Sequence, residues 1–224
     1  MSSFIGLAFS GLWVLFESCY SWELEYIENM VQEETCVSYL NSLREERPSI
    51  VITVTCYHME TRHTTESGRN PDGSYYTRTR TYEEQVIDYV ESKCFKYDSW
   101  QDSSIDPKYL NLHPQKVTRV QISKSILFGN RITADRFTQQ ENELYNRVRN
   151  QGFWKFMDVT HDYVIDGYTS RISSYWSEEE PLWWMNSRYY WIFTLLCCTW
   201  VYRLAYNNAT QKTSYKLVKR VYAD

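Results

Sequence analysis

The sequence predicts an α+β protein: an antiparallel β-rich aqueous domain with flanking helices, inserted between two membrane helices. Three observations carry this. Apolar residues gather in two runs, 4–16 and 183–206, although the mean hydropathy of the chain is −0.56. Between the runs, β-branched and aromatic residues alternate with polar ones at period two, which is the strand pattern. Two further stretches repeat apolar residues at three- and four-residue steps, which is the helix pattern.

The boundaries follow from these patterns. Residues 1–22 are expected to form a membrane helix, 23–48 an amphipathic stalk helix, 49–182 the β-rich aqueous domain, 183–206 a membrane or re-entrant helix, and 207–224 a basic tail. With 224 residues and 43% hydrophobic content, the chain suffices for one ordinary domain with attachments or two small ones. Its 20 Tyr and 9 Trp favour places with one apolar and one wet side. Seven Gly and five Pro leave little room for long flexible linkers. A net charge of −4 speaks against nucleic acid as a partner.

The first run, "FIGLAFSGLWVLF", is uncharged from Phe4 to Phe16 and is extended to Trp22 if the helix passes Glu17. That reaches the lower end of the ~17–25 residues a spanning helix needs. A signal peptide fits less well, because no Lys or Arg precedes the run and no small-x-small cleavage site follows cleanly. A buried core helix is the other alternative. Next, Ile27, Met30, Val31, Val37, Leu40 and Leu43 recur at helical steps, with acids opposite, and Pro48 ends the helix. This helix is expected to continue the first one outward as a stalk.

Strands are expected near 50–65 and 74–91, paired across the turn Asn70-Pro71-Asp72-Gly73. Pro fixes φ there, Asn and Asp bond their own backbone, and Gly accepts positive φ. "KVTRVQISKSILF" reads as a third strand through Val117, Val120, Ile122 and Ile126, and "HDYVIDGYTSRISSYW" offers more strand. Between them, Phe137, Leu144, Tyr145 and Val148 share the face of a helix over about 134–150, which Gly152 can close.

The second run has an uncharged core from Tyr189 to Tyr202. Trp183, Trp184, Tyr189, Tyr190 and Trp191 crowd one end, and Trp200, Tyr202 and Tyr206 mark the other, as in the aromatic belt of a membrane segment. Arg188 and Arg203 flank the core and can reach headgroups. With Trp13 and Trp22 of the first run, these, apart from Tyr190 and Tyr206, are the expected membrane-interface anchors. The core is short, so a tilted interfacial or re-entrant helix is the alternative to a spanning one.

No catalytic signature emerges. Cys56, His58 and Glu60 would share one strand face, with His63 on the other. Steps of about 7 Å along a strand are too long to close three ligands around one ion at ~2.0–2.3 Å. A strand with a half-buried Cys and His is the simpler reading. Arg62, Arg69, Arg78 and Arg80 are offset by Glu60, Glu66, Glu83 and Glu84, so cross-strand ion pairs are expected, with lipid headgroup contact as the alternative. Cys56 or Cys94 with His113 or His161 would be the pair for nucleophilic chemistry, but no activating motif surrounds them. No phosphate-cradling Gly loop occurs. The six cysteines are irregularly spaced: Cys197 and Cys198 lie in an apolar run, and three, Cys36, Cys56 and Cys94, fall in the middle, a poor disulfide framework. No cofactor, metal or catalytic residue is expected.

The order of motifs resembles the transmembrane protein 151 family of eukaryotic membrane proteins. "LWVLFESC" is followed by an amphipathic helix, "CYHMETRH", "DGSYYTRTRTYEE", "VTRVQISKSILFGN", "FTQQENELY" and a Trp-rich segment ending "WVYRLAY". Tyr57 and His58 match a Tyr-His pair of the family, Arg78 and Thr79 lie in its Arg/Thr-rich strand, and Phe128 and Asn130 echo a Phe-x-Asn element. The resemblance implies an integral membrane protein of a eukaryotic cell, with no catalytic residues to carry over. The family typically adds an upstream membrane helix and a long disordered downstream tail, so its topology is not transferred.

The functional expectation is a non-enzymatic membrane protein whose aqueous domain mediates protein–protein assembly or scaffolding, with the bilayer and either protein partners or further copies of the chain as contacts. The alternatives are an auxiliary or pore-forming subunit of a channel or transporter, for which Glu17 is the only intramembrane charge, and a membrane-anchored Cys/His hydrolase. Sidedness is contested. Residues 21–40 hold five acids and no Lys or Arg, whereas the tail holds Lys212, Lys216, Lys219 and Arg220. By charge bias the tail is cytosolic and the domain is on the far side. The domain, however, has no N-x-S/T acceptor and its cysteines do not pair off. A re-entrant second segment would place both in the cytosol, which is the side favoured here.

Overall fold

A computed structural model describes residues 21–69, 73–112, 116–152, 154–176, 180–196 and 198–223. The expected first membrane helix, with Trp13 and Glu17, lies outside the described residues, as do the turn residues Asn70, Pro71 and Asp72. The chain forms two units. One comprises residues 1–48, 100–127 and 165–220; the other comprises 49–99, 128–164 and 221–224.

The first unit is built on a five-stranded sheet in the order β1-β7-β5-β8-β4. Its strands are β1 (Met30–Gln32), β4 (Ser99–Asp102), β5 (Val117–Phe128), β7 (Arg171–Tyr175) and β8 (Thr210–Tyr222). β5 and β7 are antiparallel, and β1 and β7 are parallel. Val120 and Ile122 share one face of β5, and Val117 faces the other way. On the first face, helix α2 (Glu33–Glu45) packs Cys36, Leu40 and Leu43 against Val120, Ile122, Ile172, Tyr215 and Leu217. On the opposite face, α1 (Trp22–Glu28), α4 (Ser187–Leu195) and α5 (Thr199–Ala209) bring Leu24, Tyr26, Ile27, Tyr190, Tyr202 and Tyr206 onto Val117.

The stalk expectation is corrected. Ser21 has extended backbone and caps Leu24, so a new helix begins at Trp22 and does not continue an earlier one. That helix ends at Asn29, whose side chain donates to the Glu25 carbonyl and whose own carbonyl accepts from Ser173. Residues 30–32 then join the sheet before α2 starts. The break shows in the periodicity: after Val31 the next apolar position is Cys36, and a single helix would have placed one at 34 or 35.

The basic tail is also corrected. Residues 210–222 form β8, an interior strand between β5 and β4. Tyr215, Leu217, Lys219 and Val221 alternate inward and are buried. The Lys219 ammonium donates to the Arg44 carbonyl, sits 3.7 Å from the Asp102 carboxylate and lies over the Trp100 ring. Desolvation holds its pKa below the usual lysine value.

The second unit has a three-stranded sheet, β3-β2-β6, with β2 (Ser49–Arg69), β3 (Tyr75–Cys94) and β6 (Phe156–Val164). The expected hairpin forms. β2 and β3 pair from Val51↔Cys94 to Arg69↔Tyr75, with one bulge at Cys56/Tyr57, and Gly73 takes φ 90° in the turn. β6 covers β2 only from Ser49 to Tyr57. From His58 outward, the hairpin is a bare two-stranded arm about 40 Å long (12 residues at ~3.3 Å each). Helix α3 (Arg131–Gln151) is capped by the Asn130 side chain on Thr133 and buries Phe137, Leu144 and Val148. Phe137 meets Phe95 and His161 edge-on. Gly152 closes the helix for reasons of space, since a Cβ there would come within 2.8 Å of the Trp154 ring.

An interior β8 predicts that Leu217→Ala destabilises the chain by about 2–5 kcal/mol, whereas Lys216→Ala, on the exposed side of the same strand, changes stability by less than about 0.5 kcal/mol. Denaturant unfolding of the purified chain checks this; a free tail would be indifferent to both.

Candidate functional site

Residues 183 to 206, expected as one membrane or re-entrant helix, form two short helices. α4 has 9 residues and α5 has 11. At ~1.5 Å per residue they span about 14 and 16 Å, against ~30 Å of hydrocarbon. Among the described residues, no helix is long and apolar enough to cross a membrane. The expected single helix is thereby corrected to a helical hairpin.

Its construction is local. The Asn186 side chain caps Tyr189 at the start of α4 and donates to the Trp183 carbonyl. Cys198 N–H bonds the Phe193 carbonyl, and Val201 N–H bonds that of Cys198, which turns the chain into α5. The buried Thr199 hydroxyl donates to that of Thr194, which itself bonds the Tyr190 carbonyl, so the turn carries few unmet polar groups.

The two helices divide their faces sharply. Tyr190, Tyr202 and Tyr206 point inward: Tyr190 and Tyr202 meet edge-on at 5.5 Å, and Tyr202 donates to the Trp184 carbonyl at 3.0 Å. Ile192, Leu195 and Leu196 point outward from α4, and Trp200, Val201 and Leu204 from α5. Leu195, Leu196 and Trp200, around the turn, are 72%, 67% and 68% exposed. They form an apolar rim of a kind soluble surfaces seldom present.

Charge is confined to the base of the hairpin. Glu23 is almost fully buried; it accepts from the Ser21 hydroxyl at 2.7 Å and lies 3.6 Å from Arg203. The Arg119 guanidinium sits over the rings of Trp22, Tyr26 and Tyr206 and donates to Asn207. Buried charges need partners of this kind.

The expected anchors are sorted accordingly. Trp183 and Trp200 are exposed, and Arg188 is exposed at the start of α4. Trp22 is partly exposed, edge-on to Tyr26. Trp184, Tyr189 and Trp191 are half-buried. Tyr202, at 2% exposure, belongs to the core, and Arg203 turns inward to Glu23. Sequence reasoning passed over Ile192, Leu195, Leu196 and Leu204. Their spacing, i, i+3, i+4 on α4, set against Tyr190 and Tyr202, was the available signal.

The polar arm resolves as ion pairs: Arg62 to Glu84 at 2.6 Å, Arg62 to Glu60 at 3.5 Å, and Arg80 to Glu66 at 3.6 Å. His58 bonds Asp88, His63 bonds Thr81 on the other face, and His161 bonds Glu141. Burial pushes the Cys36 thiol up to about 11 and raises that of Cys56, so both stay protonated and poorly nucleophilic.

The sequence profile of the TMEM151 family matches residues 2–223. Two similar curated proteins, each described as a transmembrane protein 151 homolog, come from Caenorhabditis briggsae and Caenorhabditis elegans. They are 26% and 25% identical to this chain over 189 residues, which is 84% of this chain and 35% of each relative. The chain thus spans about a third of the length of the curated relatives it matches. No solved structure matches it.

The thiol environments predict that a maleimide labels Cys94 in the native chain while Cys36 and Cys56 stay protected until denaturation, read by mass spectrometry of the labelled peptides. Rapid native labelling of Cys56 would revive the hydrolase reading. The division of hairpin faces predicts that Tyr202→Ala costs about 3–5 kcal/mol, whereas Trp200→Ala costs under about 1 kcal/mol, both read by denaturant unfolding.

Proposed function

The chain belongs to the TMEM151 family, and from that premise we propose that it is a membrane protein held at the bilayer in part by the α4–α5 hairpin, with its polar units on one side as an assembly surface for other proteins. The observation that carries this reading is the hairpin itself. Its turn exposes Leu195, Leu196 and Trp200, while the chain on both sides of it, β7 before and β8 after, is tied into one sheet. A segment whose two ends share a sheet returns to the side it left. Inserted turn-first, each exposed Leu or Trp moved from water into lipid gains roughly 1–2 kcal/mol, and several together make a stable attachment. Trp183 and Arg188, exposed toward the start of α4, are then placed for headgroup contact.

On this reading the polar part of the chain is cytosolic. The basic residues of β8 lie on the same side as the polar units, so charge bias, the free thiols of Cys36, Cys56 and Cys94, and the lack of glycosylation acceptors in residues 21–188 all favour the cytosol. The assembly role draws on the long uncovered arm of β2 and β3, whose polar ion-paired faces suit a protein partner better than a catalytic substrate. The channel-subunit reading rested on Glu17, outside the described residues.

An environment-sensitive fluorophore on Leu196→Cys should shift to the blue in lipid nanodiscs and be quenched several-fold by spin-labelled acyl chains, while the same probe on Lys216→Cys should do neither. Equal, unquenched emission from both positions would remove the hairpin from the bilayer.

A further inference from the structure

β3 lies at the edge of its sheet, in the order β3-β2-β6, so among the described residues its outer edge carries no strand along 20 residues. Such an edge is a template for another strand, and natural proteins usually blunt it with charged side chains, Pro, bulges or a covering element; the charges of β3 are of both signs, Arg78 and Arg80 with Glu83 and Glu84. Here β3 contains no Pro, and the hairpin's one bulge lies beside Cys56, away from the outer half of the arm. The apolar side chains left exposed in this unit are concentrated on β3: Tyr75 at 82%, Ile87 at 60%, and also Tyr76, Tyr82 and Val90. Beyond Tyr57 the arm has only two strands, and such ribbons gain order from a third.

We infer that the occupant of this edge is the β3 strand of a second copy, paired antiparallel about a twofold axis at Thr81. This rests on the assembly reading above and names its partner. The argument is self-complementarity. An antiparallel pairing centred on Thr81 sets Arg78 opposite Glu84, Arg80 opposite Tyr82, Tyr76 opposite Val86 and Tyr75 opposite Ile87, each pair occurring twice. Opposite charges and aromatic–aliphatic pairs stabilise neighbouring strands, and like charges facing each other oppose pairing. Other centres do worse. Centring on Thr79 sets Arg78 against Arg80, and centring on Arg80 or Glu83 sets each against itself. Centring on Tyr82 also makes an ion pair, Arg80 with Glu84, but sets Arg78 against Val86 and Tyr76 against Asp88, so it loses both aromatic–aliphatic pairs. Charge thus excludes the like-against-like centres, and Tyr75 and Tyr76 select Thr81 over Tyr82. The existing partner of Glu84, Arg62, is an exposed pair on the same arm, whose loss the fold tolerates.

The test uses the full chain in lipid nanodiscs or mild detergent, with oligomeric state read by sedimentation. The expected result is a dimer. Arg78→Glu or Glu84→Arg alone should weaken it tenfold or more, and the two together should restore it. Thr81→Cys should cross-link to itself under mild oxidation, identified by mass spectrometry of the joined peptide, while Thr61→Cys on the inner strand should not. A monomeric chain overturns the inference and leaves the assembly reading to a different protein. A dimer that ignores both charge reversals, or that cross-links equally at Thr61→Cys, overturns this edge and leaves self-assembly through another surface. Circular dichroism of each variant separates loss of pairing from loss of folding.

Discussion

The insertion of β8 between β5 and β4 is the constraint on which the rest of the structure depends. The strand lies on the C-terminal side of the α4–α5 hairpin, and its neighbours β5 and β4 come from the N-terminal side. Its buried residues Tyr215 and Leu217 complete the core over α2, and its backbone bonds Ser103 and Ser104 beside β4. Removing it would open the sheet in its interior. Interior pairing cannot be made across a bilayer, so under the proposed membrane attachment the intervening segment leaves and returns on one side. The short helices, the threonine-bonded turn and the tyrosine-lined inner face are the local means by which residues 183–209 meet that demand.

The same constraint explains the buried charge. A sheet with helices on both faces has no wet side for the polar groups that close its layers. Lys219 is taken up by the Arg44 carbonyl, the Asp102 carboxylate and the Trp100 ring on one face. Arg119 is taken up by three aromatic rings and Asn207 on the other. Neither is an ordinary surface cation, and in both cases an aromatic face substitutes for part of the lost water. The high Tyr content of the chain thus has two uses: packing beneath the hairpin, and shielding charge at its base.

Much of this was legible in the sequence, for stated reasons. The β2–β3 hairpin was fixed by alternation and by a turn with its own chemistry, and α3 by the spacing of Phe137, Leu144 and Val148. The Arg/Glu balance of the arm read correctly as ion pairing for Arg62 and Arg80, while Arg69 donates to the Gly73 carbonyl. What failed was non-local. Residues 30–32 were taken as helix because Met30 and Val31 fit the period, yet their partners, Ser173–Tyr175, lie far along the chain. Lys212, Lys216, Lys219 and Arg220 looked like a basic tail because composition cannot show that every second residue of 215–221 points into a core; alternation across Tyr215, Leu217 and Val221 was the overlooked sign. Within the hairpin, aromatic and aliphatic residues carry similar hydropathy, so composition did not reveal that the tyrosines face in and the leucines face out. For that reason Tyr190, Tyr202 and Tyr206 were read as part of the aromatic belt, whereas they are buried.

The central claim is that the chain before and after the hairpin lies on one side of the membrane. The direct measurement is labelling of Glu180→Cys and Lys212→Cys with a membrane-impermeant thiol reagent in sealed, uniformly oriented vesicles, before and after permeabilisation. Both positions are exposed and bracket the hairpin. The account predicts that the two behave alike, both labelled at once or both only after permeabilisation. Labelling of one with protection of the other would mean that residues 183–206 cross the bilayer, and would contradict it.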